Sequence, residues 1–252
     1  MAVISSHTHH LLALGFGILG NIVSFMVFLA PLPTFYRVYK KKNTEGFQSI
    51  PYVVALFSAM LWMYYALIKA DGFLLLIINS VGCIIQSTYI IVYLIYAPKL
   101  AKIHTTKLLL LLNVVVYGLI LLFTMLFSKG SKRVTIVGWI CSGFAVCVFA
   151  APLSIMKKVI RTKSVEFMPV SLSFFLTLCA IVWFLYGLLT MDLYVAAPNV
   201  LGFIFGVAQM ILYYIYRHPR PDVVPELDLQ PNGRQPQVKV TNQPVEPSES
   251  NV

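Results

Sequence analysis

The chain has 252 residues, of which 59% are hydrophobic and only 11% charged. A soluble domain is about half apolar and about a quarter charged, so the composition excludes a water-soluble globule and makes the bilayer the fitting solvent. A net charge of +10 does not indicate nucleic acid, because the Lys and Arg residues fall between apolar stretches, where membrane topology accounts for them.

In chain order, the opening "MAVISSHTHHLLALGFG" contains no Lys or Arg and so lacks the positive start of a cleaved signal peptide. Residues 1–11 read as a short extracellular N-terminus before a retained span. A span needs about 20 mainly apolar residues, and seven such stretches follow: 12–34, 52–69, 73–96, 108–127, 134–156, 171–190 and 194–216. The connections "KADG" (69–72) and "TMD" (190–192) permit only tight hairpins. Fifteen Lys and Arg residues lie in the connections after spans 1, 3 and 5 and in the tail, against four on the other side. The positive-inside rule puts the fifteen in the cytoplasm, with the N-terminus outside and the C-terminus inside. Residues 217–252 hold seven of the fourteen prolines and few large apolar residues, the composition of a disordered cytoplasmic tail. Thr241, Ser248 and Ser250 in that tail are either phosphorylation sites or plain linker.

Setting residue i against i+121 aligns spans 1–2 with spans 5–6. "VFLAPLP" (27–33) meets "VFAAPLS" (148–154), and Glu45/Glu166, Trp62/Trp183, Tyr65/Tyr186 and Asp71/Asp192 pair in the same register. One residue of slippage then pairs Asn79 with Asn199 and Gly82 with Gly202. Chance explains matched leucines but not matched Pro, Glu, Trp, Asp and Asn. The expected fold is an all-α integral membrane protein of seven transmembrane helices, 3+1+3. Two parallel three-helix repeats, 12–96 and 134–216, are joined by a linker helix with its flanking loops, 97–133. Span 4 restores the orientation of the second copy, and its "KLLLLLNVVVYGLILLFTMLF" suits a lipid-facing joint.

Transporters of duplicated design place the substrate site at the interface of the repeats. At about 1.5 Å per residue, Trp62, Trp183, Asn79 and Asn199 all lie roughly 8–10 Å below the outer face. Ser24 and Val27 fall near the same layer. Indole faces stack on the C–H surface of a pyranose, and Asn amides donate to and accept from hydroxyls without carrying charge. The alternatives are a helix–helix hydrogen bond for the Asn pair and an interfacial belt for the Trp pair. Pro31 and Pro152 remove helical hydrogen bonds near the cytoplasmic ends of spans 1 and 5 and are hinge candidates. Pro51 and Pro169 open spans 2 and 6, where a proline also serves as an ordinary first-turn residue. No Asp, Glu, His, Lys or Arg lies in the middle of a span, which argues against ion coupling and for uniport. No catalytic, P-loop or metal motif is present, so the chain does not read as an enzyme, and no cofactor is implied.

Together, "GILGNIVSFMVFLAPLPTF", "NTEGFQSIPYVVALFSAMLW", "APLSIMKKVIRTKSVEFMP" and "APNVLGF" resemble the SWEET (MtN3/saliva) sugar facilitators over about residues 11–216, most closely the plant branch associated with sucrose. That family is a standing example of parallel repeats. The resemblance implies bidirectional, facilitative transport of sucrose, with glucose or other hexoses as further candidates, by alternating access. It implies sugar contact at Trp62, Trp183, Asn79 and Asn199, and a pocket lined by Ser24, Val27, Ser58 and Val148. Cys179, the mate of Ser58, departs from the serine of similar sucrose-branch members, and a thiol is a weaker hydrogen-bond partner. The resemblance makes Pro31, Pro51, Pro152 and Pro169 inner-gate hinges, and Lys69, Tyr186 and Asp192 parts of an outer gate. It further implies a homo-oligomer in the plasma membrane, with sugar and lipid as the other partners. The rival readings are a hexose-selective facilitator of the same fold and, from another class, a seven-helix receptor, which would not predict the repeat.

Overall fold

The computed structural model describes residues 2–165 and 170–217, and among these every regular element is helical. Seven helices or helix pairs are long and apolar enough to cross a membrane. Span 1 is α1 (Ala2–Leu29) continued by α2 (Leu32–Lys41), span 2 is α3 (Ile50–Ile68) and span 3 is α4 (Phe73–Tyr96). Span 4 joins α5 (Lys99–Leu109), a π-helical stretch (Leu110–Val116) and α6 (Tyr117–Phe127). Span 5 is α7 (Gly130–Val148) continued by α8 (Ala150–Thr162), and α9 (Val170–Leu189) and α10 (Leu193–Tyr216) complete the bundle.

Several helices outrun their apolar stretches. Residues 2–11 carry no Gly or Pro, so nothing stops α1 from running back to Ala2 rather than starting at 12. Span 4 begins at Lys99, directly after Pro98, rather than at 108. Pro169 and the residues from 218 onward, on which the expectations for one hinge and for the tail fall, lie outside the described residues.

The packing order follows from which helices touch. Within the first repeat α4 sits between α1 and α3, and within the second α10 sits between α7 and α9. Across the repeats α1 packs on α9 and α3 packs on α7. The six helices therefore close a ring, α1–α4–α3–α7–α10–α9. The fourth span lies outside it, against α3, with Leu110, Leu111, Val114, Leu122 and Phe123 exposed. The hydroxyls at this joint are spent on α3 or its N-cap: Ser49 meets Thr105 at 2.6 Å, Tyr64 meets Thr124 at 2.9 Å, and Tyr117 donates to the Met60 carbonyl at 3.3 Å.

The repeat recurs in atomic detail. Gly17 of α1 lies against Leu74 of α4, where a Cβ would come within 2.3 Å of Leu74 Cδ1. Its mate Gly138 lies against Tyr194 of α10 in the same way, at 2.6 Å from the ring. One turn on, Asn21 donates to the Leu74 carbonyl at 3.1 Å and its mate Ser142 donates to the Tyr194 carbonyl at 2.7 Å. The second bond has a further reason. Pro198 inside α10 has no N–H for the carbonyl four residues back, and that carbonyl belongs to Tyr194. Ser142 supplies the missing donor.

Both span 1 and span 5 break just before their mated prolines. α1 ends at Leu29, the Ala30 amide tightens onto the Val27 carbonyl at 3.1 Å, and α2 resumes with Phe35 bonding Pro31. The Phe28 carbonyl, left free by the break, accepts the Tyr89 hydroxyl at 2.9 Å. In span 5 the Phe149 amide bonds Val146 and Leu153 bonds the Phe149 carbonyl, each at 3.1 Å, so this break is milder. α2 and α8 end on mated lysines in the left-handed conformation, Lys42 (φ 54°) and Lys163 (φ 53°). Each donates its ammonium to a tyrosine closing the third helix of its repeat, Lys42 to Tyr96 and Lys163 to Tyr216, both at 3.0 Å. The Tyr96 bond holds the Lys42 ammonium above the ordinary lysine range.

Candidate functional site

A cavity of about 200 Å³ sits at the centre of the ring. Its lining consists of six mated pairs: Ser24/Ala145, Phe28/Phe149, Trp62/Trp183, Leu75/Val195, Ile78/Pro198 and Asn79/Asn199. All six helices of the ring contribute, and each pair occupies equivalent positions in the two repeats.

The polar groups are few and neutral. Asn79 donates one amide N–H to the Leu75 carbonyl at 2.8 Å, and Asn199 donates one to the Val195 carbonyl at 2.7 Å. These matching bonds fix both amides against their own helices and leave each a carbonyl oxygen and a second N–H with no partner among the described residues. The indoles are held edge-on by mated tyrosines, Trp62 against Tyr65 (5.6 Å, 88°) and Trp183 against Tyr186 (5.2 Å, 81°). The Trp183 N–H donates to Ser24 Oγ at 2.9 Å, and that oxygen lies 3.2 Å from Cys179 Sγ. Two aromatic platforms and two amides around a neutral space suit a guest with apolar C–H faces and a rim of hydroxyls.

At the end of α3 and the α9–α10 turn a polar cluster, the lock, joins the two repeats. Asp192, which is 4% exposed, forms an ion pair with Lys69 and accepts the Tyr65 hydroxyl on both oxygens, at 3.0 and 2.9 Å. It also caps α10 by accepting the Tyr194 and Val195 amides at 3.1 and 3.2 Å. The lock thus ties α3 of the first repeat to the α9–α10 turn of the second. It has no twin: the residue that precedes α4 as Asp192 precedes α10 is Gly72, Asp71 is exposed at the left-handed position that Met191 takes in the other repeat, and among the described residues Tyr186 makes no hydrogen bond equivalent to that of Tyr65.

Of the expected contact residues, Trp62, Trp183, Asn79, Asn199 and Ser24 line the cavity, and Cys179 touches it through Ser24. Val27, Ser58 and Val148 do not line it. Successive helical residues point about 100° apart, and Phe28 and Phe149, one position on from the valines, take the facing direction. Their matched identity in the 121-residue register was the available signal. Pro31 and Pro152 adjoin the two breaks, and Pro51 lies in the first turn of α3. Lys69 and Asp192 meet, whereas Tyr186 packs beside Gly17 (3.0 Å to a Cβ there) and its mate Tyr65 holds the carboxylate. Tyr65 shared the repeat register, but nothing in the sequence distinguished it from Tyr186.

The family model described as "Sugar efflux transporter for intercellular exchange" matches residues 15–101 and 135–220. The chain is 63% identical over 212 residues to the bidirectional sugar transporter SWEET13 of Oryza sativa subsp. japonica, covering 84% of this chain and 72% of that protein. It is 60% identical over 218 residues to the bidirectional sugar transporter SWEET14 of Arabidopsis thaliana, covering 86% and 78%. A solved structure of a eukaryotic SWEET transporter superposes with a TM-score of 0.79 at 33% identity, covering 83% of this chain and 99% of that one.

Proposed function

The chain belongs to the MtN3/saliva, or SWEET, family of transporters, and from that premise we propose that it is a bidirectional sugar uniporter carrying sucrose, with hexoses as further substrates. The observation that carries this reading is the cavity of mated residues, two indoles and two amides enclosed by the ring. In this reading Trp62 and Trp183 stack on the sugar's C–H faces, and Asn79 and Asn199 bond its hydroxyls. Ser24 and Cys179 set the back of the Trp183 wall.

The same reading gives the gates their work. The Lys69–Asp192–Tyr65 lock closes the far face, and the breaks at Pro31 and Pro152, with Pro51 and Pro169, let the basic ends of the helices swing. Alternating access consists of breaking the first while the second closes. The lysine-rich connections face the cytoplasm by the positive-inside rule, and the membrane assigned is the plasma membrane. Described residues contribute no charged side chain to the cavity, which supports a cycle driven by the sugar gradient alone.

The test is uptake of labelled sucrose and glucose by proteoliposomes of the purified protein. Saturable flux of sucrose in both directions is the expected result. Flux of glucose without sucrose assigns a hexose-selective facilitator, and absence of both sugars overturns the reading.

A further inference from the structure

We propose that the cavity holds its sugar in one of the two rotational settings related by the repeat axis, chosen by the free indole N–H of Trp62. The inference rests on the reading of the cavity as a sugar site. A half turn about the axis relating the repeats exchanges Asn79 with Asn199 and one indole with the other, so those residues alone cannot distinguish a ligand from its rotated copy.

The second wall of each indole breaks the tie. Trp183 is 7% exposed, its ring lies over Gly20 (3.0 Å to a Cβ there), and its N–H is committed to Ser24 Oγ at 2.9 Å. It offers the guest an apolar face and no donor. The mates of Gly20 and Ser24 are Cys141 and Ala145, so the other half has neither the notch nor the oxygen. Among the described residues no acceptor meets the Trp62 N–H, and its ring stays half-buried at the cavity wall. A sugar hydroxyl or ring oxygen is the acceptor this donor lacks. Sucrose has two unlike rings and glucose an uneven rim of hydroxyls, so one donor at one end selects the setting that places an oxygen there. Ala145 is then the specificity-determining position, because its lack of a hydroxyl leaves the donor to the sugar.

The repeat supplies the test. In Cys141→Gly/Ala145→Ser the new notch and hydroxyl stand as Gly20 and Ser24 stand in the other half and capture the Trp62 N–H. Loss of one neutral hydrogen bond then raises the KM for the carried sugar about 3–10-fold. Exchanging the other half as well, by Gly20→Cys and Ser24→Ala, moves the free donor to Trp183, the sugar turns by half a turn, and KM falls back toward the parent value. An unchanged KM in Cys141→Gly/Ala145→Ser, or a full exchange no better than that variant, overturns the inference. Should a serine variant fail to fold, Trp62→Phe and Trp183→Phe give the second reading. Both keep an aromatic face, and Trp62→Phe raises KM more; an equal or reversed order overturns the inference. A parent protein that moves no sugar overturns the sugar reading and this one with it, whereas flux with the wrong ranking overturns only this one.

Discussion

Replacing Tyr65 by Phe removes a hydroxyl that donates to both oxygens of Asp192 at 2.9–3.0 Å and keeps the ring that packs on Trp62. Asp192 is buried, so the lost bond is one to a charged group shielded from water, worth about 1.5–3 kcal/mol. In the state open at the far face the same hydroxyl is hydrated, so the loss falls on the closed state alone. The open-to-closed ratio at that face should rise about 10- to 150-fold, the factor corresponding to that energy at about 1.36 kcal/mol per decade. Lys69 and the two α10 amides still hold the carboxylate, so the fold survives. The assay is labelling of a single cysteine at position 145, which lines the cavity, after Cys83, Cys141, Cys147 and Cys179 are replaced. An impermeant thiol reagent is added from the far face, and its rate follows the open population when opening is fast. A rate change below about twofold would refute the argument that the Asp192 lock sets the closed state.

Asn79→Ala removes a cavity amide bonded only to its own helix, so sugar flux should vanish while the protein keeps its elution profile and thermal midpoint; retained flux returns the residue to packing. Ser142→Ala strands the Tyr194 carbonyl and should cost about 1–3 kcal/mol in detergent stability. Adding Pro198→Ala restores the helical donor and should recover most of that loss, as read by thermal unfolding. Uptake should not respond to an imposed proton gradient, because none of the described residues lining the cavity is ionisable; proton-driven accumulation above equilibrium would disprove uniport.

The spans and their duplication were legible because both rest on patterns that chemistry rarely produces by accident. Paired Trp and Asn inside apolar helices announced the cavity, since a buried amide in lipid needs a reason. The phenylalanines did not, because a Phe in an apolar phrase reads equally as packing, and only the helical rotation of about 100° per residue decides between Val27 and Phe28. Helix ends lie beyond the apolar stretches where amphipathic segments such as "FYRVYKK" carry the helix on. The choice of Tyr65 over Tyr186 for Asp192 could not be read at all. It depends on the one-residue difference between the two loops, which puts a carboxylate before α10 and Gly72 before α4, with Asp71 one position earlier and exposed.

The two joints between the halves are not built alike. Where α1 meets α9, Ser24 ties Trp183 and Gly20 admits its ring. Where α3 meets α7, Ala145 and Cys141 offer no such tie, and the nearby fastening is the carboxylate lock at the far end of α3. The halves are thus held by unlike ties, a neutral hydrogen bond from α1 to α9 on one side and a carboxylate cluster from α3 to the α9–α10 turn on the other, so a duplicated sequence does not make a symmetric set of restraints.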